Sequence, residues 1–156
     1  MSTESDIRER FWTQLSQSPF LMVALNGASG HSLPMTAQLD PKANHAFWFY
    51  TSKDNRLAPG GPAMAQFAAK DHDLFACIDG TLVTETDPAV IDRYWSKEVE
   101  AWYPGGRNDP HLLMLRFDLG TAEIWRADMS LTGVFKQLFG GDVTEEMKGK
   151  HAEVSL

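Results

Sequence analysis

The stretch Phe47-Trp48-Phe49-Tyr50-Thr51-Ser52-Lys53-Asp54-Asn55-Arg56-Leu57 concentrates residue types that can bind an anion. An aromatic, β-favouring run ends in two hydroxyls, Thr51 and Ser52, and the cations Lys53 and Arg56 follow. Hydroxyls and backbone amides at a strand end can donate to phosphate oxygens. Lys adds a point charge and Arg a two-pronged donor. This chemistry suits one phosphate monoester. A strand followed by an ordinary solvated loop has the same composition, because loops are polar for reasons of hydration. The segment alone leaves both readings open.

Other chemistries find little support. His31, His45, His72, His111 and His151 show no metal-ligand spacing, and Asp71-His72-Asp73 reads as a solvated turn. No serine sits in a Gly-x-Ser-x-Gly elbow, and neither a Gly-x-Gly-x-x-Gly nor a phosphate-loop pattern is present. The single cysteine, Cys77, excludes an intrachain disulfide framework and lies in the apolar run Leu74–Ile78, where it reads as a small buried hydrophobe. Trp95 and Trp102 read as core or subunit-interface residues. No metal site is expected, and these residues assign no catalytic side chain.

The elements that must position the polar segment follow from periodicity. Thr3 and Asp6 fit a capping box, and Ile7, Phe11 and Leu15 form the stripe of a first helix. Strands are predicted over Phe20–Leu25, over His31–Leu39 with Pro34 at an edge or irregularity, and over Ala46–Thr51. Pro62 predicts the first turn of a helix running to about Lys70. Strands over Leu74–Ile78 and Thr81–Glu85 are separated by a bend at Asp79-Gly80. Asp87-Pro88 opens a helix whose face is Ile91, Tyr94, Trp95 and Val99. Leu112–Phe117 and Ala122–Trp125 read as a hairpin, Leu131–Leu138 as a last helix stopped by Gly140-Gly141, and the tail from about 142 as polar and loosely held.

This alternation lacks a regular β-α-β rhythm, so the expected fold is mainly β with peripheral helices: a small antiparallel barrel built as one domain over 1–156. A chain of 156 residues with 43% hydrophobic residues can bury its own core. The net charge of −7 argues against general nucleic-acid binding. No apolar run approaches the ~18 residues of a membrane span, and the polar N-terminus is unlike a signal peptide. The expected location is cytoplasmic, without nucleic-acid or membrane partners.

The ordered set of motifs resembles the pyridoxamine 5′-phosphate oxidase-like family. Trp48-Phe49-Tyr50-Thr51-Ser52 with Arg56 looks like its flavin-phosphate segment, and Pro34-Met35-Thr36 like the strand beside the flavin ring. Leu74–Leu82, with Gly80 inside it, resembles its paired barrel strands. Asp92-Arg93-Tyr94-Trp95, Ala101-Trp102-Tyr103-Pro104-Gly105-Gly106 and Asp109-Pro110 are similar to the general stress protein branch, and Ala122-Glu123-Ile124-Trp125 to the closing strand.

The resemblance implies an antiparallel split β-barrel that forms a homodimer with FMN in two clefts between subunits. It places Thr51, Ser52 and Arg56 at the phosphate, to which Lys53 can add charge, and Met35, Thr36 and Gln38 along the ring. It brings Trp125 to the partner subunit's flavin. The aromatic load, five Trp, three Tyr and nine Phe, also points to a dimer, since one small core does not readily hide it.

Two departures each remove a cation that many relatives carry: Leu33 stands before the Pro-Met pair, and Leu57 follows Arg56. They imply weaker FMN binding, or FAD or a deazaflavin in its place. The arginine and histidine pattern of true pyridoxamine 5′-phosphate oxidases is absent near the C-terminus, so vitamin B6 synthesis is not expected. The implied function is that of a flavin-binding, oxidoreductase-like general stress protein. The alternatives are a flavin reservoir without turnover and a split barrel that has lost its flavin site.

Overall fold

The computed structural model describes residues 4–126 and 151–156. Helix α1 spans Glu4–Gln17 and buries Ile7, Phe11 and Leu15, the predicted stripe. Thr3 of the expected cap lies outside the described residues. Eight strands follow: β1 Phe20–Leu25, β2 Leu33–Thr36, β3 Gln38–Asp40, β4 Ala43–Ser52, β5 Gly61–Ala68, β6 Leu74–Thr84, β7 Leu112–Arg126 and β8 His151–Ser155. Between β6 and β7 lie two short helices, α2 Pro88–Arg93 and α3 Lys97–Glu100, and one 3₁₀ turn, Gly106–Asn108.

All pairings are antiparallel, in the order β2-β1-β5-β6-β7-β4-β3, with β8 added to β7. The two edge strands of that path, β2 and β3, are separated in sequence only by Ala37. A sheet whose opposite edges are consecutive in the chain has to curl until those edges approach. Ala37 marks the seam, and its N–H donates to the Pro19 carbonyl at 2.7 Å.

The interior of the curl is the core. Phe11, Phe47, Phe49 and Phe117 are fully buried with Leu21, Leu74, Ile78 and Leu82. Phe47 stacks on Phe117 with ring centroids 5.2 Å apart, and Phe11 meets Phe67 edge-on at 6.1 Å. Each such side chain contributes about 1.5–3 kcal/mol on burial. On the outside of β4 and β7, Ala46, Trp48 and Met114 form a second cluster under Val90, Ile91 and Tyr94 of the α2 region. Buried Glu85 secures this layer, accepting from the Trp48 indole N–H at 2.9 Å.

Five sequence expectations are corrected. The segment expected as a helix from Pro62 to about Lys70 is strand β5: Ala63, Ala65 and Phe67 alternate inward with period two, and pairing on both sides overrides the helical preference of an alanine-rich run. Leu74–Ile78 and Thr81–Glu85 are one strand over Leu74–Thr84, and the expected bend is a register shift between Ile78 and Gly80. The expected hairpin of Leu112–Phe117 and Ala122–Trp125 is the single strand β7, held extended through Gly120 by its pairing with β6. The helix opened by Asp87-Pro88 ends at Arg93, and α3 follows separately, capped by the Ser96 hydroxyl. The tail expected to be loosely held ends in β8, while residues 142–150 and the expected helix Leu131–Leu138 lie outside the described residues.

Candidate functional site

A cavity of about 550 Å³ opens along the seam. Pro34, Met35 and Thr36 of β2 and Gln38 of β3 form one wall, and Tyr50, Thr51 and Ser52 with Asn55 form the second. Ser96, Glu98, Val99, Trp102 and Tyr103 complete it from the α3 side. The curl brings β2 and the end of β4 together, although β1 and β5 separate β2 from the middle of the sheet.

The α3 wall is pinned to the sheet. Tyr103 donates its buried hydroxyl to the Thr51 carbonyl at 2.7 Å. Trp95 packs between Tyr50 and Tyr103, at 5.7 and 6.1 Å. The buried Asp109 carboxylate accepts from the amides of His111 at 2.8 Å and Gly105 at 2.9 Å, and these bonds hold its pKa below the usual carboxylate value. At the other end of the segment, Asp40 accepts from Arg93 and from the Tyr94 hydroxyl, both at 3.1 Å.

The sequence-predicted site residues divide into two sets. Met35, Thr36, Gln38, Thr51 and Ser52 line the one cavity. Met35 is buried in the core, while its neighbours Pro34 and Thr36 are exposed on the opposite face of β2. Ser52 donates to the Asp54 carboxylate, and Asn55 uses its amide oxygen to accept from the Leu57 N–H at 2.8 Å, which leaves its NH₂ as a donor.

Lys53 and Arg56 are exposed and do not line the cavity. Arg56 donates to the His31 carbonyl at 2.6 Å, on the loop leading into β2. Trp125 is on β7, paired with Phe75 of β6 and His151 of β8, away from the seam. Leu57 is buried at 2% exposure, so a core position is filled where many relatives carry a cation.

Sequence reasoning missed Tyr50, Asn55, Ser96, Glu98, Val99 and Tyr103 as lining residues. Trp102, expected in a core or interface, is 83% exposed and lines the cavity. The signal for the α3 wall was the Tyr-Trp and Trp-Tyr-Pro-Gly-Gly pair of motifs, whose place in space only the fold supplies. Cys77 is half-buried on the outer face of the sheet with its thiol toward the Met64 sulfur at 3.2 Å, so it is not a core residue. Among the described residues no cluster of metal-ligating side chains occurs. No helix among them is long and apolar enough to cross a membrane.

A flavin requires a small-molecule cavity with donors for a phosphate and a wall for a planar ring. The volume falls within the roughly 300–1,000 Å³ of small-molecule sites. The Thr51 and Ser52 hydroxyls and the Asn55 amide on one wall suit a phosphate, and Gln38 with the β2 backbone on another suits the edge of a planar ring. The residues present fit, with positive charge outside the lining from Lys53 and Arg56 and from Arg107, whose charge reaches Tyr50.

A curled antiparallel sheet with peripheral helices and a cleft along its seam defines a split barrel. The chain belongs to the pyridoxamine 5′-phosphate oxidase-like family, whose model matches residues 6–148.

A general stress FMN/FAD-binding protein from the phytopathogen Xanthomonas citri is 43% identical, over 81% of this chain and 92% of that one, with a TM-score of 0.74. A general stress family protein from Xanthomonas campestris pv. campestris is 42% identical, over 83% and 93%, with a TM-score of 0.76. A general stress protein from a Jannaschia species is 30% identical, over 99% and 100%, with a TM-score of 0.78. No curated protein matches the chain.

Proposed function

We propose that this protein binds FMN in the seam cleft and works as a flavin-dependent, oxidoreductase-like member of the general stress branch. The observation that carries the reading is the convergence of Thr51, Ser52 and Asn55 with Pro34–Thr36 and Gln38 on one cavity, from elements distant in the chain. The FMN/FAD binding of the Xanthomonas citri protein, at 43% identity, supports it.

When bound, the flavin supplies the hydride and electron transfer, and the protein supplies binding and orientation. Thr51, Ser52 and the Asn55 NH₂ hold the phosphate, and Lys53 and Arg56 lend charge from the rim. Gln38 and the backbone of Met35 and Thr36 lie along the ring. A second copy of the chain completes the cleft and brings its own Trp125 toward the flavin. Phe20 and Met22, 60% and 42% exposed, support this assembly: they sit directly opposite Thr36 and Pro34, on the face beside the cleft.

Thr51→Ala combined with Arg56→Ala tests the phosphate assignment. The lost Thr51 bond to the charged phosphate is expected to cost about 1.5–3 kcal/mol, roughly 10- to 150-fold in affinity, with a smaller further loss from the Arg56 charge at the rim. Unchanged FMN affinity in the double variant refutes the assignment. Steady-state oxidation of NADH or NADPH with an acceptor tests turnover, and full flavin occupancy with no rate above that of free flavin identifies a binder instead.

A further inference from the structure

The α3 wall carries a feature that flavin binding by the opposite walls leaves unused. Trp102 is 83% exposed, yet its neighbour Tyr103 is anchored on Thr51 and the following loop on Asp109. A large indole held on a fixed base but not seated in its own core presents a free aromatic face. The helical turn of α3 continues past its end: Ala101 donates to the Lys97 carbonyl and Trp102 to the Val99 carbonyl, each at 3.1 Å. Glu98 and Trp102, four residues apart, therefore share one face, and both line the cavity. Glu98 is the one charged side chain among the described residues that line it.

An aromatic face beside a carboxylate, with no cation in the same lining, is a receptor for positive charge. The indole quadrupole attracts a cation over its face, Trp most strongly of the aromatic residues, and the carboxylate supplies the counter-charge. Anions are disfavoured at the same spot, which separates this wall from the phosphate-facing hydroxyls across the cleft.

We propose that Trp102 and Glu98 form a second subsite of the cleft that takes a planar organic cation, its ring on the indole and its charge beside the carboxylate. The inference rests on the flavin reading only for the bound cation's part as reaction partner.

Calorimetric titration of the full chain with N-methylquinolinium and with neutral quinoline, before and after incubation with FMN, tests it. The cation is expected to bind about tenfold more tightly than quinoline. Glu98→Gln is expected to shrink that preference severalfold, to what the indole alone supplies, while leaving quinoline affinity unchanged. Trp102→Ala is expected to weaken both probes roughly five- to tenfold, with the thermal midpoint preserved, since the side chain is exposed.

Equal affinity of the two probes for the wild-type chain overturns the proposal, as does a cation preference undiminished by Glu98→Gln. Loss of binding in Trp102→Ala accompanied by dissociation of a dimer also overturns it, by assigning the indole to a subunit contact. Failure of FMN to bind, with the probe pattern intact, overturns the flavin reading and leaves the cation subsite standing.

Discussion

Tyr103 joins the two walls of the cleft and titrates in a way that reports on that joint. Burial, with the nearby Asp109 charge adding to it, pushes its phenol up to about 12. Burial also pushes Tyr50 up to about 12, against the opposing pull of Arg107. In the unfolded chain a tyrosine loses its proton near pH 10. Between these values the unfolded state holds fewer protons than the folded one, so stability falls as pH rises. The contribution is complete below about pH 10 and is lost as the pH climbs toward about 12. Urea unfolding across this range is expected to show a midpoint that declines, with a shallower decline in Tyr103→Phe. The same variant is expected to be about 1–2 kcal/mol less stable at neutral pH, because the Thr51 carbonyl loses its donor. An unchanged alkaline slope in Tyr103→Phe contradicts the assignment. At this scale the sequence was informative for Thr51, Ser52, Thr36 and Gln38, which it singled out and which line the same cavity. It was uninformative for Tyr103 and Glu98, whose roles come from what the fold sets across from them.

Strands β6 and β7 form the long central pair, and their crossing depends on one small residue. A Cβ on Gly80 would lie 2.4 Å from both the Asp118 carbonyl oxygen and the Phe117 ring. Gly80→Ala therefore drives a methyl into backbone and a fully buried aromatic. It is expected to destabilise the protein by about 1–3 kcal/mol, the usual cost of overpacking, read as a lower denaturation midpoint. A neutral outcome contradicts the close approach described. Asp79-Gly80 looked like a turn in sequence because that pair commonly makes one. Pairing on both sides keeps the chain extended there and absorbs the glycine as an irregularity instead. The same competition explains β5, where Ala63, Ala65 and Phe67 fit a strand only once β1 and β6 flank them. It explains β7 too, since Asp118–Thr121 has turn composition but ladder partners. Helix α1 and strands β1 and β4 were legible because their periodicity and their tertiary surroundings agree.

At the scale of the whole molecule, closing the sheet at Ala37 makes the cleft, and no local pattern announces that closure. The resemblance to a family supplied it, through the order of weak motifs along the chain. The same view leaves Phe20 and Met22 exposed beside the cleft. A second copy of the chain is expected to cover them, so light scattering at micromolar concentration should give twice the 17.4 kDa of one chain. Met22→Glu is expected to shift the population to monomer and to weaken flavin retention with it. A wild-type monomer contradicts the shared cleft. The central claim is the flavin site itself, and the most direct measurement is a visible spectrum of the purified protein after incubation with FMN and desalting. The account predicts the retained absorption bands of an oxidised flavin at close to one per chain. A colourless protein, also unable to retain FAD or a deazaflavin, would leave the split barrel intact and contradict the site.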